Sequence, residues 1–502
     1  MQKWTTPIFF ATLLAGASNA LAADLSAVSL LQRCTLQLTQ TALPPSDPLI
    51  TSVQNGADPI EVCIDQIFHA AKLVEESGNY VIPAATRPIG KQVLNTFHLL
   101  HSGWFHFRKP IASPVTLGPI NSRMSSIYEP NAGANYFTRA LFDDSVDASY
   151  FLTTQDYLRT MRDQGQVTDS IYLDAATDAA SVDYLGSGVN VLYDRGIPIG
   201  IRKLTTAQRT FDTPIIPPAT KSQDNYPRNI VTYPTSTITL FQHFGGGIMG
   251  LDYYLARTYD ETAAIKADGV IEVPRKWGEN IMKDIMCLDL PVVRESDAVP
   301  FVVPTADAPF RQASSCTACH VTIDRLAGLV KSLNYGERRT QSVWTTYVDT
   351  TRWNKGDAGD YSWSSNYRTN FIAGGNPYSN YYKEDHVGTL FYRDFSGSLN
   401  NTRVDSIVKL GEVASQQVQP YLCAAKRYYQ YFTGVDVDIS DPGPNPKPLT
   451  ASDQAHFDFV LGLANSVMNV QNGTPHFRKL SEMVETILRS PQYRKQDFGA
   501  KP

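Results

Sequence analysis

Cys316-Thr317-Ala318-Cys319-His320 stands past the midpoint of a 502-residue chain. Two cysteines three positions apart, followed at once by a histidine, form the attachment pattern of a c-type haem. The spacing has a chemical reason. Thiols one helical turn apart can each form a thioether with one of the two vinyl groups of a porphyrin. The adjacent imidazole then meets the iron from the proximal side. Beyond His320, Ile323, Leu326, Val330 and Leu333 recur at helical spacing, and Gly336 is a natural stop. The spacing therefore predicts that the motif opens an amphipathic helix. One covalent haem c is expected, on Cys316 and Cys319, with His320 as the proximal iron ligand. A structural zinc site would need further ligands, and no second CxxC or HxxxH is present.

The opposite face of the iron separates a carrier from a catalyst, because a Met or His there gives a six-coordinate site and an open position admits O₂ or peroxide. Upstream, Gly245-Gly246-Gly247-Ile248-Met249-Gly250 formally matches GxGxxG, but no βαβ pattern surrounds it. It reads instead as a turn entering a helix at 248–258, with glycines that would let backbone approach a flat cofactor. His243 and Met249, beside and within this turn, are the preferred distal candidates. His386, Met468 and His476 are the others. Asp324, one turn after His320, is placed either to hydrogen-bond near the imidazole and raise its basicity or to serve as a solvated or helix-stabilising aspartate. His98, His101 and His106 invite a metal reading, but their spacings do not match a zinc motif and no carboxylate or thiol cluster joins them. An aromatic helix or loop with polar tips is the expected form.

The amino terminus speaks for export. Lys3 precedes an apolar run from Ile8 to Ala17, and Ala20-Leu21-Ala22 is a small-x-small cleavage site, so residues 1–22 read as a signal peptide. The run is shorter than the ~20 apolar residues of a membrane span. Ala17 stands where a lipid-modified cysteine would follow Leu14-Ala15-Gly16, so no lipid anchor is expected. No later stretch reads as transmembrane. The expected location is the periplasm or the cell surface. In bacteria c-type haem is attached outside the cytoplasm, so the leader and the motif support each other.

Four cysteines remain outside the motif: Cys34, Cys63, Cys287 and Cys423. In an oxidising compartment an even remainder reads as two disulfides with three possible connectivities. Cys34 and Cys63 fall on neighbouring predicted helices. Cys287 and Cys423 would tie a helix before the motif to one after it. That placement favours Cys34–Cys63 and Cys287–Cys423.

The whole is expected to be mainly α, with a loop-rich mixed middle region and a C-terminal helical cytochrome c-like module. Residues 23–108 form an N-terminal helical region. Its helices are expected at 24–43 (ended by Pro44-Pro45), from Pro59 onward, and near 90–108. Residues 109–240 are mixed, with helices at 134–143 and 154–164 and strands at 190–194, 197–202 and 230–240. Residues 241–502 hold the haem module, with a helix at 274–289 and a long excursion at 337–400. Helices then start near Val404 and at Pro420, followed by 450–470 and 477–490.

The C-terminal part resembles the haem-binding modules of the large planctomycete-type cytochrome c families, which read CxxCH-x-x-(Ile/Met)-Asp-Pro-(Leu/Ile)-Gly. Here the run after His320 is Val321-Thr322-Ile323-Asp324-Arg325-Leu326-Ala327, with Arg325 and Ala327 departing from the Pro and Gly. Residues 395–494 are similar to the associated C-terminal module, through Phe395-Ser396-Gly397, Tyr431-Phe432-Thr433-Gly434 and Ile487-Leu488-Arg489-Ser490-Pro491. The opening Leu31 to Pro45 is similar to the first segment of the same families. The resemblance implies redox chemistry outside the cytoplasm and no defined substrate.

Net charge is −5, and no long basic run is present, which argues against nucleic acid as a partner. The expected function is that of an exported monohaem c-type cytochrome, exchanging electrons with a redox partner protein or a small-molecule acceptor. The alternative is a haem enzyme, a peroxidase or oxygenase, in which the large middle region forms a substrate pocket.

Overall fold

The computed structural model describes residues 24–105, 132–171, 189–212, 237–239, 243–257, 273–305, 312–330, 387–471 and 474–496. The leader expected at 1–22, His106, His386 and most of the excursion lie outside the described residues. Helix α1 (Ala27–Thr39) starts at Ser26, whose hydroxyl accepts from the Ser29 amide, and ends with Gln40 in the left-handed conformation. Helix α2 (Pro48–Gln54) follows, and α3 (Pro59–Gln66) opens as read, with the Asp58 side chain accepting from the Ile60 and Glu61 amides. Cys34 and Cys63, both fully buried, join α1 to α3 by a disulfide.

Strands interrupt what the sequence suggests is an all-helical start. β1 (Val74–Glu76) and β2 (Asn79–Val81) form a hairpin before α4 (Arg87–Trp104). Helix α5 (Ala134–Phe142) agrees with its expected position. The helix expected at 154–164 is not there: after a single turn at Tyr150–Thr153 comes strand β3 (Leu158–Arg162). Its side chains alternate, with Leu158 and Thr160 buried and Arg159 turned outward, which suits a strand with one covered face. β4 (Gln166–Ile171) pairs with β5 (Val189–Asp194). β6 (Pro198–Lys203) then inserts between β2 and β3, giving an antiparallel sheet of order β1-β2-β6-β3. This sheet stitches the N-terminal region to the middle region. β7 (Thr210–Asp212) pairs with β8 (Thr237–Thr239).

After a 3₁₀ turn at Gly247–Gly250 come α6 (Asp252–Arg257) and α7 (Val273–Asp284). Helix α8 (Ser314–Ala327) carries the cysteine motif. The excursion ends in a hairpin of β9 (Gly388–Arg393) and β10 (Leu399–Val404), which packs on α8. The remaining helices are α9 (Ile407–Ser415), α10 (Val418–Thr433), α11 (Ala451–Val467) and α12 (Ser481–Arg489). A hairpin of β11 (Met468–Gln471) and β12 (Thr474–Phe477) separates the last two.

One apolar core takes side chains from Leu30 to Tyr493. Helix α10 runs through it, burying Tyr421, Leu422, Cys423, Tyr428, Tyr429 and Phe432, and ends at Gly434 with φ +74°. The Cys423–Cys287 disulfide ties α10 to the segment after α7. The first and last described segments meet: the Leu25 amide donates to the Arg494 carbonyl, and the Arg33 guanidinium donates to the carbonyls of Tyr493, Lys495 and Gln496. The structure is mainly helical with antiparallel hairpins. Among the described residues no helix is long and apolar enough to cross a membrane.

Candidate functional site

Helix α8 is two-faced. Thr317, Ala318, Val321, Thr322, Leu326 and Ala327 are buried. The Thr322 hydroxyl donates to the Phe391 carbonyl, fixing α8 to β9. Ala318 and Val321 join Val293, Ala298 and Phe391 in a small apolar cluster of their own, apart from the main core. The other stripe holds Cys316, Cys319, His320 and Asp324, which helical periodicity brings into line. Cys316 is exposed and Cys319 partly so, and both are free thiols, whereas the other four cysteines are all disulfide-bonded. The His320 side chain is 27% exposed. Burial, with Cys316 and Glu279 nearby, pushes the Cys319 thiol up, opposite to what an activated thiolate needs.

Two salt-bridge systems that the sequence does not advertise frame the motif. Arg275, in the first turn of α7, donates from Nε to Asp324 Oδ1 at 2.5 Å and from Nη2 to Oδ2 at 3.2 Å. The same Oδ2 lies 3.5 Å from His320 Nδ1. Burial opposes ionisation of Asp324, but His320 and Arg275 prevail and hold its carboxyl below the usual range. Asp324 thus lies beside the imidazole at ion-pair distance, with its side chain 17% exposed. On the buried side, Arg294 grips Asp441 and Arg393 grips Asp297, each through two hydrogen bonds of 2.7–2.8 Å. These pairs clamp the turn at Glu295–Ala298 against α8.

Arg325 stands over the rings of Phe301 and Phe391, with its guanidinium carbon 5.0 and 4.9 Å from their centroids. Its Nη2 donates to Thr389 and Asn401 on the β9–β10 hairpin. Arg325 thus binds α8 to this hairpin. Val299, Phe301 and Val303, beside α8, remain 58%, 37% and 44% exposed.

The distal candidates are placed as follows. His243 Nδ1 accepts from the Gly245 amide at 2.9 Å, and its ring lies against Tyr136 with centroids 5.6 Å apart. A neutral imidazole accepting at Nδ1 carries its proton on Nε2, so neither nitrogen offers a lone pair to a metal in this arrangement. Met249 is fully buried, and its carbonyl accepts from Trp277 Nε1 at 3.0 Å, on the core side of α7. Asp324 and Cys319 face Arg275 and Glu279, on another side of that helix. Met468 is buried in the main core and His476 is exposed on β12.

The glycines of the turn pack closely against the protein itself. A Cβ on Gly246 would meet the Ile407 carbonyl at 2.4 Å. One on Gly247, where φ is +57°, would meet the Phe151 carbonyl at 1.9 Å. The close approach they permit is to the protein's own backbone.

His98 and His101 lie buried on α4, at the heart of the molecule. His101 Nδ1 is 2.9 Å from the Thr138 hydroxyl and Nε2 is 2.8 Å from the Tyr428 hydroxyl. His98 Nε2 is 3.1 Å from the Thr160 hydroxyl. Burial, with His98 close by, holds His101 well below the ordinary histidine range. The aromatic-helix reading is the one found. Among the described residues no group of three or more His, Cys, Asp or Glu is placed to hold a metal ion.

No family model, no curated protein and no solved structure matches this chain.

Proposed function

We propose that the chain is a monohaem c-type cytochrome that exchanges electrons with a redox partner protein or a small-molecule acceptor. The observation that carries the reading is the exposed stripe of α8. Two free thiols one turn apart and an adjacent imidazole share it, while every other cysteine is consumed in a disulfide. These residues fit a covalently held haem. Cys316 and Cys319 would supply the thioethers and His320 the iron bond. When bound, the haem supplies one-electron chemistry at the iron. A motif on the surface favours contact with a partner over an enclosed substrate pocket.

The disulfides accord with an exported protein, and the leader-like residues 1–22 supply the route to the periplasm or the cell surface. The resemblance of 316–327 and 395–494 to the planctomycete-type cytochrome c families points the same way. Absorption spectra of the purified chain, oxidised and reduced, with and without carbon monoxide, test the proposal. A low-spin reduced spectrum that carbon monoxide does not change is expected. Carbon monoxide binding together with peroxide turnover would replace the carrier with the haem enzyme.

A further inference from the structure

We infer that Arg275 is a positioning residue for the iron site: it orients the Asp324 carboxylate toward His320 and thereby sets the electron density that the proximal imidazole presents to iron. The inference rests on the haem reading above and extends it to a helix that the motif does not contain. A carboxylate four residues after a histidine on one helix has several rotamers, of which few face the ring. Arg275 removes that freedom. Its two donors take one oxygen each, 2.5 and 3.2 Å away, which leaves Oδ2 3.5 Å from His320 Nδ1. Arg275 and Asp324 side chains are only 21% and 17% exposed, so water competes weakly for either.

The backbone holds the arrangement in register. Gly278, one turn along α7 from Arg275, lets the two helices close up. A Cβ there would stand 3.2 Å from the Ile323 carbonyl and 3.3 Å from the Leu326 Cβ. The residue adjoining Asp324 is therefore docked on the turn of α7 that carries the arginine.

An anionic group at ion-pair distance from Nδ1 favours the tautomer with the proton on that nitrogen, leaves Nε2 as the donor to a metal and makes the imidazole more basic. A more basic ligand favours the ferric state. Charge and orientation now predict opposite signs for Arg275→Gln. Loss of a positive charge alone lowers the reduction potential. Release of Asp324 from its oriented position weakens the ligand and raises it.

The test combines spectroelectrochemistry of the haem-loaded chain with ¹⁵N NMR of the His320 ring. Positioning predicts that Arg275→Gln and Asp324→Asn both shift the potential upward. It predicts that the double variant goes no further than Asp324→Asn alone. Arg275→Lys, which keeps the charge without the planar fork, should restore little of the shift. The ¹⁵N spectrum should show the Nδ1–H form in the parent chain and lose it in Arg275→Gln. A downward shift in Arg275→Gln, additivity with Asp324→Asn, or an unchanged tautomer would overturn the inference. The tautomer is readable whether or not the chain carries haem. A chain without haem but with the Arg275-dependent tautomer would therefore sink the haem reading and uphold the positioning role.

Discussion

Two helices of this protein carry histidines in patterns that suggest chemistry, and the fold treats them in opposite ways. On α4, His98 and His101 are buried, and their ring nitrogens meet Thr160, Thr138 and Tyr428. On α8, Cys316, Cys319 and His320 lie on the outer stripe, with both thiols free. The first set completes a polar network inside an aromatic core, where each donor must find an acceptor. The second leaves both thiols unbonded. Residue type and spacing single out both stretches, and what separates them is that the core encloses the first set while the second lies on an outer stripe.

The sharpest way to break this comparison is to remove the reactive atoms from each. Cys316→Ala with Cys319→Ala should abolish covalent haem completely, read as loss of haem absorbance from the denatured chain, while leaving the thermal transition of the haem-free protein unchanged. His101→Ala should do the reverse. It leaves the Tyr428 and Thr138 hydroxyls without their partner and opens a cavity, costing about 2–4 kcal/mol by urea titration with haem content intact.

Opening Cys287–Cys423 by a double serine substitution should cost about 2–5 kcal/mol, since the bond closes a loop of 136 residues. The same titration measures it.

The buried histidine also predicts a pH dependence. His101 has a folded-state pKa well below its ordinary value of 6.5. The unfolded chain therefore binds more protons below that pH. The contribution is fully present above about pH 6.5 and is lost as pH falls toward the folded-state value, by at most about 1.4 kcal/mol per pH unit. His101→Ala should flatten this limb.

Smallest of all, Glu61→Gln, which breaks the half-exposed pair with Arg489 between α3 and α12, should cost under about 1 kcal/mol, and less in high salt.

What the sequence could tell follows from range. Cys316 to His320, the start of α3 at Asp58-Pro59, the end of α10 at Gly434 and the apolar stripe of α7 all depend on residues within a few positions of one another. Both disulfides were legible because three of the cysteines sit on helices recognisable by periodicity and the fourth, Cys287, lies just past the end of one. The strand at Leu158–Arg162 was not, because only β6, some forty residues on, gives its alternation a partner. The short β1–β2 hairpin hid behind the charges of Glu75 and Glu76 in the same way. Arg275 is the clearest case. Nothing in Val273-Pro274-Arg275 points forty-nine residues ahead to Asp324. The glycine run shows the complementary limit: it reads as a turn before a helix, and small residues announce close approach without saying to what.

The central claim is that α8 is a covalent haem attachment site. Its most direct test is the intact mass and pyridine haemochrome of the chain, exported from a host with active cytochrome c maturation. One haem per chain, attached through two thioethers at Cys316 and Cys319 and absent from the double alanine variant, is the predicted result. A chain of unmodified mass whose Cys316 and Cys319 both react with a thiol reagent would contradict it.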